Sequence, residues 1–104
     1  MNDWSKENIL AIFNDKDSAV LYFYTPLCGT CHVAGKMMDV VEQLIHTIPF
    51  GKADLNYMPE IAEMFSIESV PCLLIIQNGE IHEKIYAFKS VPNLHELIKQ
   101  YSSF

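Results

Sequence analysis

The sequence predicts an α/β fold in which helices cover both faces of a central mixed β-sheet. Helix-like and strand-like segments alternate along the chain, an order typical of layered α/β domains. Two of the strand-like segments, residues 20–24 and 72–77, are almost entirely apolar, as in strands buried on both faces of a sheet. Asn78-Gly79 then favours a two-residue hairpin turn, because both central residues of that turn need a positive φ. A hairpin added to helix-connected strands makes the sheet mixed.

The first half of the chain predicts a helix, a strand and a second helix. Ser5 is placed to cap a helix that runs to about Asn14, with Ile9, Ile12 and Phe13 on one face. Val20 to Tyr24 form a strand, which Thr25-Pro26 ends. From about Cys31 to His46 the pattern is that of an amphipathic helix. We expect one stripe to face the core (Val33, Met37, Val40, Val41 and Leu44) and the opposite side to face solvent (His32, Lys36, Asp39, Gln43 and His46).

The second half predicts three strands and two helices. Phe50 to Leu55 is a short strand, and Pro59 to Phe65 a short helix. Cys72 to Gln77 and Glu80 to Tyr86 form the hairpin, whose second strand is more polar and therefore nearer an edge. Ser90 can cap a last helix with inward-facing Leu94, Leu97, Ile98 and Tyr101. The predicted order is α-β-α-β-α-β-β-α.

Length and composition predict a single packed domain and argue against nucleic-acid-binding and membrane-spanning proteins. The 104 residues fit one domain, residues 1–104, and the 50% hydrophobic and 19% charged content predicts a packed core. A net charge of −6 argues against nucleic-acid binding, which needs a basic surface. No apolar run approaches the roughly 20 residues of a membrane span. The N-terminal residues lack the basic start and apolar stretch of a secretory signal, so we expect a cytoplasmic protein.

The three cysteines are too few for a disulfide scaffold, and two of them form the motif Cys28-Gly29-Thr30-Cys31. This motif lies where the first strand gives way to the long helix. Unpaired N–H groups and the helix dipole favour a thiolate there, so Cys28 is the expected attacking thiol. Cys31 is placed to resolve a mixed disulfide, and Gly29 is expected to ease the turn.

Two other interpretations of the motif are half of a zinc site and an inert pair. Structural zinc needs four ligands, and the chain has no second Cys-x-x-Cys pair and no histidine pair with ligand spacing. The position between a buried strand and a helix favours redox chemistry.

Two segments resemble the thioredoxin family. Residues 20–31, ending in Cys28-Gly29-Thr30-Cys31, are similar to its active-site strand and redox turn. Residues 67–80, with Val70-Pro71-Cys72 and Asn78-Gly79, resemble its cis-proline segment, following strand and hairpin. Between them, residues 52–56 resemble the strand that carries the family's buried-site lysine. The resemblance spans almost the whole chain and implies the thioredoxin fold.

Carried over residue by residue, the resemblance assigns roles to single positions. Cys28 would be the nucleophile and Cys31 the resolving thiol. Pro71 would be the cis-proline that, with Val70, shapes the groove for a substrate segment, and Lys52 would lie behind the dithiol.

The sequence also departs from the family's usual residues at several of these positions. The family's tryptophan, aspartate, proline and threonine are replaced by Leu27, Tyr22, Thr30 and Cys72, and its helix proline by Lys36. A neutral phenol at position 22 cannot do the work of a carboxylate at neutral pH. Cys72 is expected either as a small buried hydrophobe or as a third thiol beside the turn.

These observations predict a thiol–disulfide oxidoreductase that acts on protein disulfides. A reductase or a low-molecular-weight thiol would regenerate it, with no organic cofactor beyond the redox-active Cys28–Cys31 disulfide, no resident metal and no membrane partner. We expect a monomer. Two alternatives are a redox-gated binding module and a metal or iron–sulfur carrier that uses Cys28, Cys31 and Cys72.

Overall fold

Five strands form one mixed sheet in the computed structural model, which describes residues 1–102. The strands are β1 (Asn2–Asp3), β2 (Ala19–Tyr24), β3 (Phe50–Asp54), β4 (Cys72–Gln77) and β5 (Glu80–Ile85). Their spatial order is β1-β3-β2-β4-β5. β3 pairs in parallel with β1 and β2, whereas β4 pairs antiparallel with β2 and β5. The predicted mixed sheet is confirmed.

In the described part of the chain, four α-helices cover the sheet: α1 (Lys6–Asn14), α2 (Gly29–Leu44), α3 (Pro59–Met64) and α4 (Val91–Ser102). The core has two parts because successive side chains of a strand point to opposite faces. On one face, Tyr22 and Leu73 pack with residues of α2 and α4. On the other, Phe23 and Cys72 pack with residues of α1 and α3. Within residues 1–102, none of the helices has both the length and the apolar content to cross a membrane.

The local signals for caps and turns are confirmed. The Ser5 hydroxyl accepts from the Asn8 amide at 3.1 Å, and the Asn8 side chain accepts from the Ser5 amide, so a capping box starts α1. Ser90 accepts from the Asn93 amide at the start of α4. Asn78 and Gly79 have φ values of 54° and 76°, as a type I′ hairpin requires.

Two short elements were missed, β1 and a 3₁₀ turn at Leu55–Tyr57. β1 has only two residues, too few for a periodic pattern, and pairing with β3 creates it. Trp4 follows β1, and its ring lies directly over Gly51 of β3, where any Cβ would collide with it. Gly51 therefore admits the indole that covers this part of the sheet.

The predicted apolar stripe of α2 is partly wrong. Val33, Val40 and Leu44 are exposed. The predicted Val41 is buried, together with Cys31, Ala34 and Met38, which were not part of the predicted stripe. Both sets have helical spacing, so the sequence pattern alone permits either to face inward. Contact with the sheet and with α4 selects the face that carries the smaller Ala34.

Candidate active site

Cys28 lies at the exact junction between the strand connection and α2, because it is itself the N-cap of that helix. Its Sγ accepts a hydrogen bond from the Cys31 amide at 3.2 Å. The helix therefore starts at Gly29, two residues earlier than predicted, since the sulfur takes the place of the oxygen in an ordinary cap. A negatively charged sulfur at this position is stabilised by the amide and by the helix dipole.

The two cysteines of the motif are bonded to each other and differ in exposure. A disulfide joins Cys28 and Cys31, whose Cα atoms are 5.2 Å apart. Cys28 is half-buried, whereas Cys31 is 4% exposed. Cys28 is therefore the more accessible of the two cysteines.

Thr30 and Gly29 fill the turn between the cysteines in different ways. The Thr30 Oγ1 lies 3.3 Å from the Cys28 Sγ, within hydrogen-bond distance of a sulfur. Gly29 has no positive φ, and a Cβ there would meet open space. The expectation that Gly29 eases a tight turn is therefore wrong, because this residue adopts ordinary helical geometry as the first residue of α2.

The segment before β4 lies in front of the dithiol. The Val70–Pro71 peptide bond is cis, and the Val70 carbonyl oxygen is 3.9 Å from the Cys28 Sγ. Beside it is an open cavity of about 360 Å³ with a largely apolar lining, formed by Thr30, Val33, Ala34, Met37, Pro71, Tyr86 and Phe88. The groove therefore joins the redox turn, through Thr30, to the cis-proline segment, through Pro71.

A second cavity of about 360 Å³ lies behind the dithiol and is more polar. Cys31, Tyr22 and Lys52 all line it, so Lys52 lies behind the dithiol as the resemblance implies. The Lys52 Nζ is 5.6 Å from the centre of the Tyr24 ring. Burial is the main cause that raises the pKa of both Tyr22 and Tyr24 to about 12.

Cys72 was considered as a third thiol beside the turn, but the fold does not bring it to the dithiol. It follows Pro71 directly, but its side chain belongs to the core on the α1 and α3 face, whereas α2 packs on the opposite face. Cys72 is 0% exposed, and burial raises the pKa of its thiol to about 11. The alternation of side chains along β4 separates it from Cys31.

Several site residues gave no signal in the sequence. Phe88 lies in the connection before α4, and only the fold brings it to the groove. His32 is exposed on the polar side of the helix, as predicted, and its Nε2 is 3.0 Å from the Pro26 carbonyl oxygen. This contact ties α2 to the loop that precedes Cys28.

The carrier hypothesis requires the three thiols to meet. Among the described residues, no group of three or more histidine, cysteine, aspartate or glutamate side chains could hold a metal ion. The position of Cys72 accounts for this result, because the sheet lies between it and α2.

Comparisons with known proteins agree with this geometry. The family model for thioredoxin matches residues 3–100. The thioredoxin-like protein YusE of Bacillus subtilis is 47% identical over 89 residues, which cover 86% of this chain and 84% of that protein. Thioredoxin of Listeria monocytogenes is 31% identical over 80 residues, covering 76% of this chain and 78% of that protein.

A solved structure shows the same fold. A thioredoxin mutant from Halobacterium salinarum superimposes with a TM-score of 0.85 at 19% identity, covering 100% of this chain and 91% of that one. The predicted thioredoxin fold is confirmed. This chain belongs to the thioredoxin family.

Proposed function

We propose that this protein reduces or exchanges protein disulfides through a mixed disulfide at Cys28 that Cys31 resolves. Membership of the thioredoxin family and the Cys28–Cys31 pair support a thiol–disulfide oxidoreductase in general. The observation that carries the finer proposal is the N-cap position of Cys28. A half-buried sulfur that accepts the Cys31 amide is reachable by substrate and stabilised as a thiolate.

The reaction has two exchange steps. The Cys28 thiolate attacks one sulfur of the substrate disulfide, forms a Cys28–substrate disulfide and releases the first substrate thiolate. The Cys31 thiolate then attacks the Cys28 Sγ, forms the internal disulfide and releases the second. Two electrons pass from the dithiol to the substrate, whose two thiolates take up protons from solvent.

The groove and the electron source complete the proposal. Val70 and Pro71 would support an extended substrate segment beside Cys28, and Gly29 would leave the space in front of the turn open.

A reductase or a low-molecular-weight thiol would reduce the Cys28–Cys31 disulfide again. No organic cofactor is required for these steps. We place the protein in the cytoplasm as a monomeric single domain, residues 1–104.

Cysteine variants test the order of the two steps. Cys31→Ser should attack an insulin-type disulfide substrate and stall as a mixed disulfide, which mass spectrometry would detect. Cys28→Ser should lose turnover down to the uncatalysed rate, because the buried Cys31 cannot reach substrate. A stable adduct on Cys31 in Cys28→Ser would reverse the proposed order.

Turnover also separates this proposal from the redox-gated binding module. An oxidoreductase reduces many equivalents of substrate disulfide when an excess of dithiothreitol is present. A binding module would be reduced once and would not accelerate the reaction further. Rate measurements for the unaltered protein, with Cys28→Ser as the matched control, decide between them.

A further inference from the structure

Tyr22 occupies the sheet position directly behind the redox turn. It lies on β2, is 2% exposed, and is held between the Tyr24 and Phe88 rings at centroid distances of 6.0 Å and 5.7 Å. Its hydroxyl donates a hydrogen bond of 2.6 Å to the Cys31 carbonyl oxygen. The phenol therefore ties the first turn of α2 to the central strand of the sheet.

This bond acts on the same residue whose amide donates to the Cys28 Sγ. The Cys31 amide donates to the Cys28 Sγ, while the Cys31 carbonyl accepts from Tyr22. Because the amide and the carbonyl of Cys31 are both hydrogen-bonded, the orientation of Cys31 relative to Cys28 is restricted. Resolution of a mixed disulfide depends on that relative position, because the Cys31 sulfur must approach the Cys28 Sγ along the axis of the bond that breaks.

Gly35 makes room for the phenol one turn further along α2. A Cβ at Gly35 would lie 3.6 Å from the Tyr22 ring and 3.8 Å from its hydroxyl oxygen, which is ordinary contact. Alanine would therefore fit there, whereas a larger side chain would compete with the phenol for the same space.

The Tyr22 hydroxyl is poorly suited to accept the proton that Cys31 loses. It is a donor to a carbonyl, and burial keeps the phenol protonated far above neutral pH. Cys31 also faces the rear cavity of about 360 Å³. The titratable or charged side chains lining that cavity besides Cys31 and Tyr22 are Tyr24, His32, Lys36, Asp39 and Lys52.

We propose that Tyr22 is a positioning residue for the second exchange step: its hydrogen bond holds Cys31 behind Cys28, and the Cys31 proton leaves through the rear cavity. In that step the Cys31 thiolate bonds to the Cys28 Sγ, the Cys28–substrate bond breaks, and the departing thiolate carries the electron pair. This inference rests on the proposed function.

Tyr22→Phe tests it, because the variant removes only the hydroxyl. The reduced protein is mixed with an aromatic disulfide whose thiolate is coloured, so that attack by Cys28 and resolution by Cys31 each release one coloured equivalent. We expect the first phase to be unchanged and the second to slow about fivefold, corresponding to about 1 kcal/mol. The second-phase pH profile should keep its midpoint, since Tyr22 does not carry the proton.

Tyr24→Phe is the matched control. Tyr24 lies two residues along the same strand and stacks on Tyr22, but its hydroxyl donates to Asp3 at 2.7 Å. Because Tyr24 also lines the rear cavity, the comparison is quantitative: Tyr24→Phe keeps the Tyr22–Cys31 bond and should therefore slow the second phase less than Tyr22→Phe does. Equal slowing of the second phase in the two variants would overturn the inference. If Tyr22→Phe leaves the second phase unchanged, slows both phases equally or moves the pH midpoint, the positioning role is overturned.

A second pair of variants works from the helix side, should Tyr22→Phe fail to fold. Gly35→Leu should displace the phenol and slow the second phase, whereas Gly35→Ala should not. Equal second-phase rates in the two variants would overturn the inference. Failure of the proposed function is distinguishable, because the unaltered protein would then release no coloured thiolate through Cys28.

Discussion

Cys28 and Cys72 are both cysteines beside the Val70–Pro71 segment, Cys28 in space and Cys72 as the next residue in the chain, but their environments differ. Cys28 is half-buried, lies 3.9 Å from the Val70 carbonyl oxygen and caps a helix. Cys72 begins β4, is 0% exposed and packs on the other face of the sheet. The helix end favours the charged form of the first sulfur, and the apolar core favours the neutral form of the second.

A position next to Pro71 in the chain therefore does not make a thiol part of the redox site. What decides is the face of the sheet onto which the side chain points and the partners available there. The contrast between the two cysteines should have its largest effect on their rates of alkylation and its smallest on turnover.

Alkylation of the reduced, folded protein should distinguish the thiols most strongly. At pH 9, an increase of the Cys72 pKa from 9.0 to about 11 lowers its thiolate fraction from about one half to about 1%. Cys72 should therefore react at least about 50-fold more slowly than in the unfolded chain, while Cys28 reacts readily. Iodoacetamide labelling with peptide mass spectrometry measures both rates, with labelling in denaturant as the control. Similar rates for Cys72 in folded and unfolded protein would contradict its assigned environment.

The same burial should make stability depend on alkaline pH. Between pH 9.0 and about 11 the folded state retains the Cys72 proton that the unfolded state loses. The contribution of this thiol to the free energy of unfolding is thus constant below pH 9 and falls by about 2 kcal/mol as the pH rises to 11. Denaturant unfolding at a series of pH values measures it.

Cys72→Ala isolates that contribution. The variant should keep the alkaline loss that comes from Tyr22 and Tyr24, whose pKa values are raised to about 12, and lack the loss that Cys72 adds between pH 9.0 and about 11. An unfolding free energy with the same pH dependence in both proteins would show that Cys72 is not desolvated.

A smaller effect is expected on the redox potential of the dithiol. The Thr30 hydroxyl lies 3.3 Å from the Cys28 Sγ and can donate to the thiolate, which stabilises the reduced form and raises the potential. The unaltered protein should therefore lie above the roughly −270 mV of ordinary thioredoxin. Thr30→Val should lower the potential by about 20 mV, or about 1 kcal/mol.

Equilibration with a glutathione buffer measures this change, and Thr30→Ser, which keeps a hydroxyl, is the matched control. An unchanged or higher potential in Thr30→Val would show that the hydroxyl does not stabilise the thiolate.

The smallest expected effect is that of Cys72 on turnover. Cys72→Ala should keep the rate of substrate reduction within about twofold, because the dithiol already contains attacker and resolver. Steady-state reduction of an insulin-type substrate measures it. A loss as large as that of Cys28→Ser would instead indicate chemistry with three thiols.

The local signals in the sequence were sufficient for most elements and for the dithiol itself. Ser5, Ser90 and Asn78-Gly79 act within a few residues of their own positions, so their hydrogen bonds and φ values follow from local chemistry. Cys28 and Cys31 are separated by two residues in a turn that the chain itself forms. Their pairing needs no distant partner.

Predictions that depended on contacts between residues far apart in the chain were less accurate. Val33, Val40 and Leu44 were expected inside and are exposed, since periodicity does not specify which part of a broad apolar arc meets the sheet. Cys72 was considered as a neighbour of the dithiol because the chain order places it beside Pro71. Strand alternation puts it on the other face.

The sequence by itself determined the order of the four α-helices and of strands β2 to β5, the caps, the hairpin and the two cysteines at the start of a helix. Each of these depends mainly on signals within one or two turns of chain. Only the tertiary structure decided that Tyr22 bonds to Cys31, that Phe88 and Pro71 share a groove, and that Cys72 lies apart. Each of these relations involves residues from different elements. The distances between such residues are set by close packing of the sheet and helices rather than by local propensity.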